Sequence, residues 1–292
     1  MRQTEKASVT GLLYLAPAVL LMGLFTYYPA IVTVFHSLFS TAKANRPSKF
    51  IGVENYSYML DDPIFWKSMH NNLWFALGTI PTSMLIALTM ALWVNKKIAG
   101  RSFLRVAYFT PTILPMVAVA NIWIFLYAPQ IGPFSKVASL FGFEHLNFLG
   151  DQSTALPAII IVGMWKEAGF FMIFYLAALQ NIPPNLSDAA AIEGASRWYF
   201  FRRVVFPLIL PTTMFILINA VVNAFRMVDH VIVMTQGGPD NATALLLFYI
   251  YQTSFYFWDT SYAAALSVVL LVILAGLAFI QFILMDKRVH YR

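Results

Sequence analysis

The chain of 292 residues contains no cysteine, which excludes disulfide bonds and thiolate metal sites. Its histidines are scattered without the short spacings of a metal-binding motif, and we expect no metal site. They are His36, His70, His145, His230 and His290. A phosphate-binding loop of the form G-x-x-x-x-G-K-[ST] is also missing. The sequence therefore predicts a protein that is not itself an enzyme and has no catalytic residues.

Charged residues are scarce, at 11% of the chain, where a soluble domain has about 25%. Hydrophobic residues make up 60%. This composition predicts a membrane protein with several spans, in contact with lipid. The net charge of +6 is not gathered into a basic stripe, so nucleic acid is not an expected partner.

Six apolar stretches are long enough to cross a membrane as helices, which takes about 20 residues each. They lie near residues 12–39, 73–94, 106–127, 155–179, 204–225 or 208–225, and 262–285. We interpret the first as an uncleaved anchor, since it lacks a small-residue cleavage signal. The sequence predicts an all-α membrane protein with six transmembrane helices in one domain, residues 1–292.

Lysine and arginine are distributed unequally between alternate connections, and cytoplasmic segments carry the excess. Twelve belong to one set: Arg2, Lys6, Lys96, Lys97, Arg101, Arg105, Arg197, Arg202, Arg203, Lys287, Arg288 and Arg292. Six belong to the other: Lys43, Arg46, Lys49, Lys67, Lys136 and Arg226. The set of twelve, which includes both termini, is predicted to be cytoplasmic.

The connection between the fourth and fifth spans contains DAAAIEGASRWYFFRRVVFP, residues 188–207. Alanines predict a first short helix, Gly194 interrupts it, and Ser196 is placed to cap a second helix that ends near Pro207. The alanines and the glycine leave little side-chain bulk, so another protein could approach the backbone. The alternative is an amphipathic helix on the membrane surface.

This connection closely resembles the EAA loop of ATP-binding-cassette importer permeases, here about residues 183–207. The matching positions, which the resemblance makes ATPase-coupling residues, are Asp188, Ala189, Ala190, Glu193, Gly194 and Ala195, with Pro207 closing the motif. Two acidic residues are exchanged, Asp for Glu and Glu for Asp. A second block, Met234-Thr235 with Gly237–Pro239 and Thr243, is similar to carbohydrate-uptake permeases of the maltose and glycerol-3-phosphate type. Their outer block matches at Asp62-Pro63, Phe65 and Asn71-Asn72.

The resemblance implies a bacterial cytoplasmic-membrane permease subunit that moves a sugar or sugar derivative inward by ATP-driven alternating access. It also implies the partners: a second permease in a heterodimer, a cytoplasmic ATPase dimer that binds ATP and Mg, and a periplasmic or lipid-anchored sugar-binding protein. This chain itself would hold no cofactor.

In similar permeases the helices on either side of the EAA loop line the substrate cavity. The matching positions are Gly163, Lys166, Glu167, Phe170, Ala220, Asn223, Ala224 and Met227. Arg226 shares a helical face with Asn223, and with Lys166 it suggests an anionic substrate, such as a phosphorylated or sulfonated compound. The alternative is that these polar groups join helices by hydrogen bonds.

Two other classes of function, an enzyme and a secondary transporter, would require other features in the sequence. A membrane-embedded lipid-modifying enzyme would need converging Asp, Glu or His side chains, and the fourth span offers only the neighbours Lys166 and Glu167. A proton-coupled secondary transporter usually contains inverted repeats, and no internal repeat stands out.

Overall fold

A computed structural model describes residues 14–43, 46–96, 98–142 and 146–288, and this part of the chain is helical. The helices are α1 (Tyr14–His36), α2 (Glu54–Asp61), α3 (Pro63–Val94), α4 (Arg101–Ile113), α5 (Met116–Tyr127), α6 (Pro133–Leu140), α7 (Gln152–Gln180), α8 (Pro184–Ile192), α9 (Arg197–Phe200), α10 (Phe206–Arg226), α11 (Asp229–Met234), α12 (Leu246–Phe255) and α13 (Thr260–Arg288). Extended pairing in the described ranges is limited to isolated bridges between Phe39 and Phe50 and between Lys43 and Arg46.

Five helical stretches in the described residues are long and apolar enough to cross a membrane. They are Tyr14–His36, Pro63–Val94, Gln152–Gln180, Arg197–Met234 and Thr260–Ile283. The pair α4 and α5 gives a sixth span if its two parts cross together. The predicted all-α membrane fold is thus confirmed, with five to six spans at the predicted places.

The third predicted span is not one straight helix, because the helix axis bends by 102° between α4 and α5. Pro115 lacks the N–H that would continue the helix, and its ring disfavours helical backbone at the residue before it. Leu114 is accordingly extended, with ψ of 135°. The break falls near the middle of this stretch, between two helices of 13 and 12 residues.

The chain divides into two compact units. The second, residues 63–249 with 273 onward, has its main core where α3, α7 and α10 pack together. Glycines on α7 allow close approach of its neighbours α4 and α3, as is usual between membrane helices. A Cβ at Gly169 would lie 2.2 Å from the carbonyl oxygen of Tyr108, and one at Gly163 would lie 3.1 Å from the ring of Phe75.

The first unit consists of the described residues up to Asp62 together with 250–272. Asn55 on α2 donates hydrogen bonds to the carbonyl oxygens of Ser37 and Phe39, at 2.8 and 3.0 Å. The hydroxyl of Tyr262 donates to the buried carboxylate of Asp62 at 2.6 Å. These bonds fix the short helix α2 against the end of α1 and the start of α13.

Candidate functional site

The predicted pair of short helices between the fourth and fifth spans is present in the structure. Pro184 occupies the first turn of α8, where its missing N–H costs no hydrogen bond. Gly194 then adopts φ of +69°, a left-handed backbone that favours glycine. The hydroxyl oxygen of Ser196 accepts a hydrogen bond from the backbone N–H of Tyr199 at 3.2 Å and caps α9.

The prediction that the second helix ends near Pro207 is wrong. The helix α9 continues through a π-helical turn, Phe201–Val205, directly into α10. In that turn the N–H of Phe206 bonds to the carbonyl oxygen of Phe201, five residues back. The wider turn accommodates the ring of Pro207, which would clash with the carbonyl four residues earlier in a regular helix. The connection is therefore joined rigidly to the fifth span.

Residues 184–200, which we name the coupling segment, are largely exposed, with Phe200 at their end packed against the main core. Neither α8 nor α9 contains a buried residue. Of the predicted coupling positions, Ala190 and Ala195 are half-buried and the rest are exposed: Asp188, Ala189, Glu193 and Gly194. A Cβ at Gly194 would meet nothing within 4 Å. This geometry leaves the small-residue surface open to a partner.

Ile192 was not among the predicted coupling residues, yet it is 87% exposed, more than any other large apolar residue in the described part of the chain. It ends α8, two residues before the turn at Gly194. The signal in the sequence was a lone β-branched apolar residue within an alanine-rich helix.

A polar pair joins the helices on either side of the coupling segment. The amide nitrogen of Asn223 on α10 donates a hydrogen bond of 2.9 Å to the carboxylate of Glu167 on α7. Around the pair lies a crevice too narrow for a water molecule. Its lining includes the predicted Ala220, Ala224 and Met227, and it also includes Thr79, Ile80, Ser83 and Phe171.

The polar residues that α3 contributes, Thr79 and Ser83, were missed by sequence reasoning. Their spacing of four residues places them on one face of a helix, which is the signal that could have found them. The Ser83 hydroxyl bonds back to the carbonyl of Ile80 at 3.0 Å, whereas the buried Thr79 hydroxyl oxygen has no hydrogen-bond partner among the described atoms.

Lys166 is directed away from this crevice and towards the bend between α4 and α5. Its ammonium donates hydrogen bonds to the carbonyl oxygens of Leu114 at 2.6 Å and Pro111 at 3.1 Å. These carbonyls lie at the end of α4, where they lack helical partners and the helix dipole favours a cation. The neighbours Lys166 and Glu167 thus connect α7 to two different helices.

The remaining predicted cavity residues do not line the crevice. Gly163 is buried against Phe75, Phe170 packs on the ring of Phe174 with centroids 5.0 Å apart, and Arg226 is exposed at the end of α10. The structure therefore brings together Glu167, Ala220, Asn223, Ala224 and Met227. It places Gly163, Lys166, Phe170 and Arg226 elsewhere.

The outer block and the Gly237–Pro239 block, far apart in sequence, meet at the start of α3. Asn71 donates hydrogen bonds to the carbonyl oxygens of Asn241 and Ala244, at 2.8 and 3.0 Å. The side-chain oxygen of Asn72 accepts from the N–H of Leu246 at 3.1 Å. These bonds hold the connection between α11 and α12 in one conformation.

Helices long and apolar enough to cross a membrane, with a polar pair between two of them and an exposed helical segment, are the features of an integral membrane protein. The chain belongs to the family of binding-protein-dependent transport system inner membrane components, whose family model matches residues 83–290. The predicted resemblance to importer permeases is confirmed by this match.

Curated relatives agree with the family. The chain is 32% identical to a probable ABC transporter permease protein of Pyrococcus horikoshii, over 89% of this chain and 90% of the relative. It is 33% identical to the sulfoquinovosyl glycerol transport system permease of Agrobacterium fabrum, over 89% and 85%. It is 31% identical to the sn-glycerol-3-phosphate transport system permease of Rhizobium meliloti, over 96% and 95%. All three are named as transport permeases.

Among solved structures, the fold matches a chain of a bacterial alginate ABC transporter in complex with a periplasmic protein bound to an alginate pentasaccharide. The TM-score is 0.86 at 22% identity, and 98% of each chain is covered. The likeness extends the fold assignment over nearly the whole chain.

Proposed function

We propose that this chain is one permease subunit of a heterodimeric importer for a sugar or sugar derivative. A second permease completes the pathway, a cytoplasmic ATPase dimer binds ATP and Mg, and a periplasmic or lipid-anchored binding protein delivers the substrate. The names of the relatives support the substrate class, since they include permeases of transport systems for sulfoquinovosyl glycerol and sn-glycerol-3-phosphate.

The exposed coupling segment is the observation that carries this proposal. It has the motif of the EAA loop, it contains no buried residue, and it leads without interruption into the span that bears Asn223. A push on the segment would therefore reach α10 as a rigid movement. Because Asn223 bonds to Glu167, movement of α10 would open or close the crevice between α7 and α10. A movement of this kind is what alternating access requires of one subunit.

The polar groups of the crevice favour a substrate rich in hydroxyl groups over an anionic substrate, which would need a cationic side chain to bind it. Glu167 can accept hydrogen bonds from sugar hydroxyls, and Asn223 can both donate and accept. Of the two cations behind the anionic-substrate hypothesis, Lys166 is bound to backbone carbonyls and Arg226 is exposed at the end of its helix. We therefore propose that Glu167 and Asn223 contact hydroxyls, and that Arg226 alone remains as a contact for an anionic group.

The test is to purify the complex with its ATPase and to measure ATP hydrolysis stimulated by the binding protein loaded with neutral or anionic sugars. We expect Glu167→Ala to lower the stimulated rate about fivefold, since a hydrogen bond contributes about 0.5–1.5 kcal/mol. Lys166→Met should lower thermal stability without changing the preference between sugars. A selective loss of anionic sugars in Lys166→Met at unchanged stability would contradict the assignment, as would purification without an ATPase.

A further inference from the structure

A polar cavity of about 560 Å³ lies in the first unit. Its lining includes Lys43, Arg46 and Lys49, from the segment that follows α1, and Asp259, the residue before α13. We name it the basic cavity. Its size is within the range of small-ligand sites, about 300–1,000 Å³.

The three cations of the basic cavity are available, whereas its carboxylate is engaged. Asp259 accepts hydrogen bonds from the hydroxyl of Thr41 and from the N–H of Tyr262 in the first turn of α13. An anionic side chain at a helix N-terminus is stabilised there. Within the described residues, the one ion pair joins Lys67 to Asp240, so none of the three cavity cations is paired with a carboxylate.

The position of these cations is unusual for a membrane protein. They are half of the six cations on the side of the membrane that carries the smaller number. All three are exposed residues that line one cavity rather than being spread over the connections. Three cations around one cavity favour an anionic ligand at this place.

From the ends of two candidate spans we infer that the basic cavity lies at the level of the membrane surface. The spans α1 and α13 end and begin a few residues from its lining, at His36 and Thr260. Directly before Asp259 stand four exposed aromatic residues in succession: Phe255 (63%), Tyr256 (61%), Phe257 (59%) and Trp258 (76%). Aromatic residues are enriched at the headgroup level of membranes. The cavity is thus placed where lipid phosphates are found.

We propose that the basic cavity binds the phosphate of an anionic phospholipid. The three cations contact the headgroup, and the aromatic run inserts beside it among the upper acyl carbons. With the orientation given by the distribution of cations, this lipid belongs to the outer leaflet of the cytoplasmic membrane. The site does not depend on which substrate the importer carries.

The test uses the whole importer complex, purified and re-lipidated with phosphatidylcholine or with added phosphatidylglycerol. Native mass spectrometry counts bound lipid for the wild type and for Lys43→Gln, Arg46→Gln and Lys49→Gln, singly and together. Lys136→Gln is the matched control, because Lys136 is exposed, belongs to the same set of connections and lies outside the cavity. Thermal midpoints verify that each variant is folded.

Each single change should weaken phosphatidylglycerol binding about fivefold and the triple change about 100-fold, from the usual contribution of a cation near anionic lipid. The control should bind as the wild type does. Equal lipid retention in the triple variant and the control would overturn the proposal. It would also fail if inorganic phosphate displaced the lipid at equal concentration, which indicates a soluble-anion site. The third contrary result is a triple variant that keeps its lipid but loses affinity for the binding protein.

Discussion

Truncation of Ile192 to alanine tests whether the coupling segment docks on the ATPase. Because 87% of Ile192 is exposed, the change removes little packing within this chain and should leave its thermal stability unchanged. If a partner covers the side chain, the loss of three carbons removes apolar burial at about 0.8 kcal/mol per carbon, about 2 kcal/mol in all. The affinity of the ATPase for the permease should then fall about 30-fold.

The assay is titration of the purified permease pair with ATPase subunits, read by ATP hydrolysis in the presence of loaded binding protein. The control is Leu140→Ala, which removes the same number of carbons from a residue that is 83% exposed at the end of α6, on the predicted outer side. The control should leave the titration unchanged. An Ile192→Ala variant with wild-type affinity would refute the docking assignment.

Three further changes test other parts of the account. Gly194→Trp should uncouple sugar delivery from ATP hydrolysis, whereas Gly194→Asn should not, because asparagine tolerates the φ of +69° at this position. Equal coupling in both variants would argue against a close partner surface at this turn. Gly169→Ala should destabilise the purified permease by about 1–3 kcal/mol, because its Cβ would overlap a carbonyl oxygen. The control Gly276→Ala has open space around its Cβ and should be neutral or stabilising. Thermal unfolding that ranks the two variants in the opposite order would contradict the packing. A cysteine at Asn241, in a chain without native cysteine, should react with an impermeant thiol reagent applied to the outer face of the membrane, and labelling only from the cytoplasmic face would reverse the predicted topology.

The spans and the coupling segment were predictable because each rests on local signals. Apolar length gave the spans, and Gly194 with Ser196 gave the division into two short helices. The break at Pro115 was only half visible, since proline can kink a helix or end it, and the carbonyls freed at the break take a partner from another helix. That partner is Lys166, 52 residues away from Leu114 in sequence.

The candidate cavity was less predictable, because the residues on one face of a helix do not determine which neighbouring helix packs against that face. Lys166 and Glu167 are adjacent in sequence, yet their side chains point to different helices. The contribution of Thr79 from α3 required knowledge of how α3, α7 and α10 pack. Likewise Asn72 and Leu246 are 174 residues apart, and no spacing rule connects them.

Sugar uptake into sealed vesicles tests the central proposal most directly. The complex is reconstituted with the ATPase domains facing inward, with ATP and Mg enclosed and sugar-loaded binding protein outside. We predict that labelled sugar accumulates only with hydrolysable ATP and that accumulation stops with a non-hydrolysable analogue. Accumulation driven by an imposed proton gradient without ATP would contradict the account and identify a secondary transporter instead.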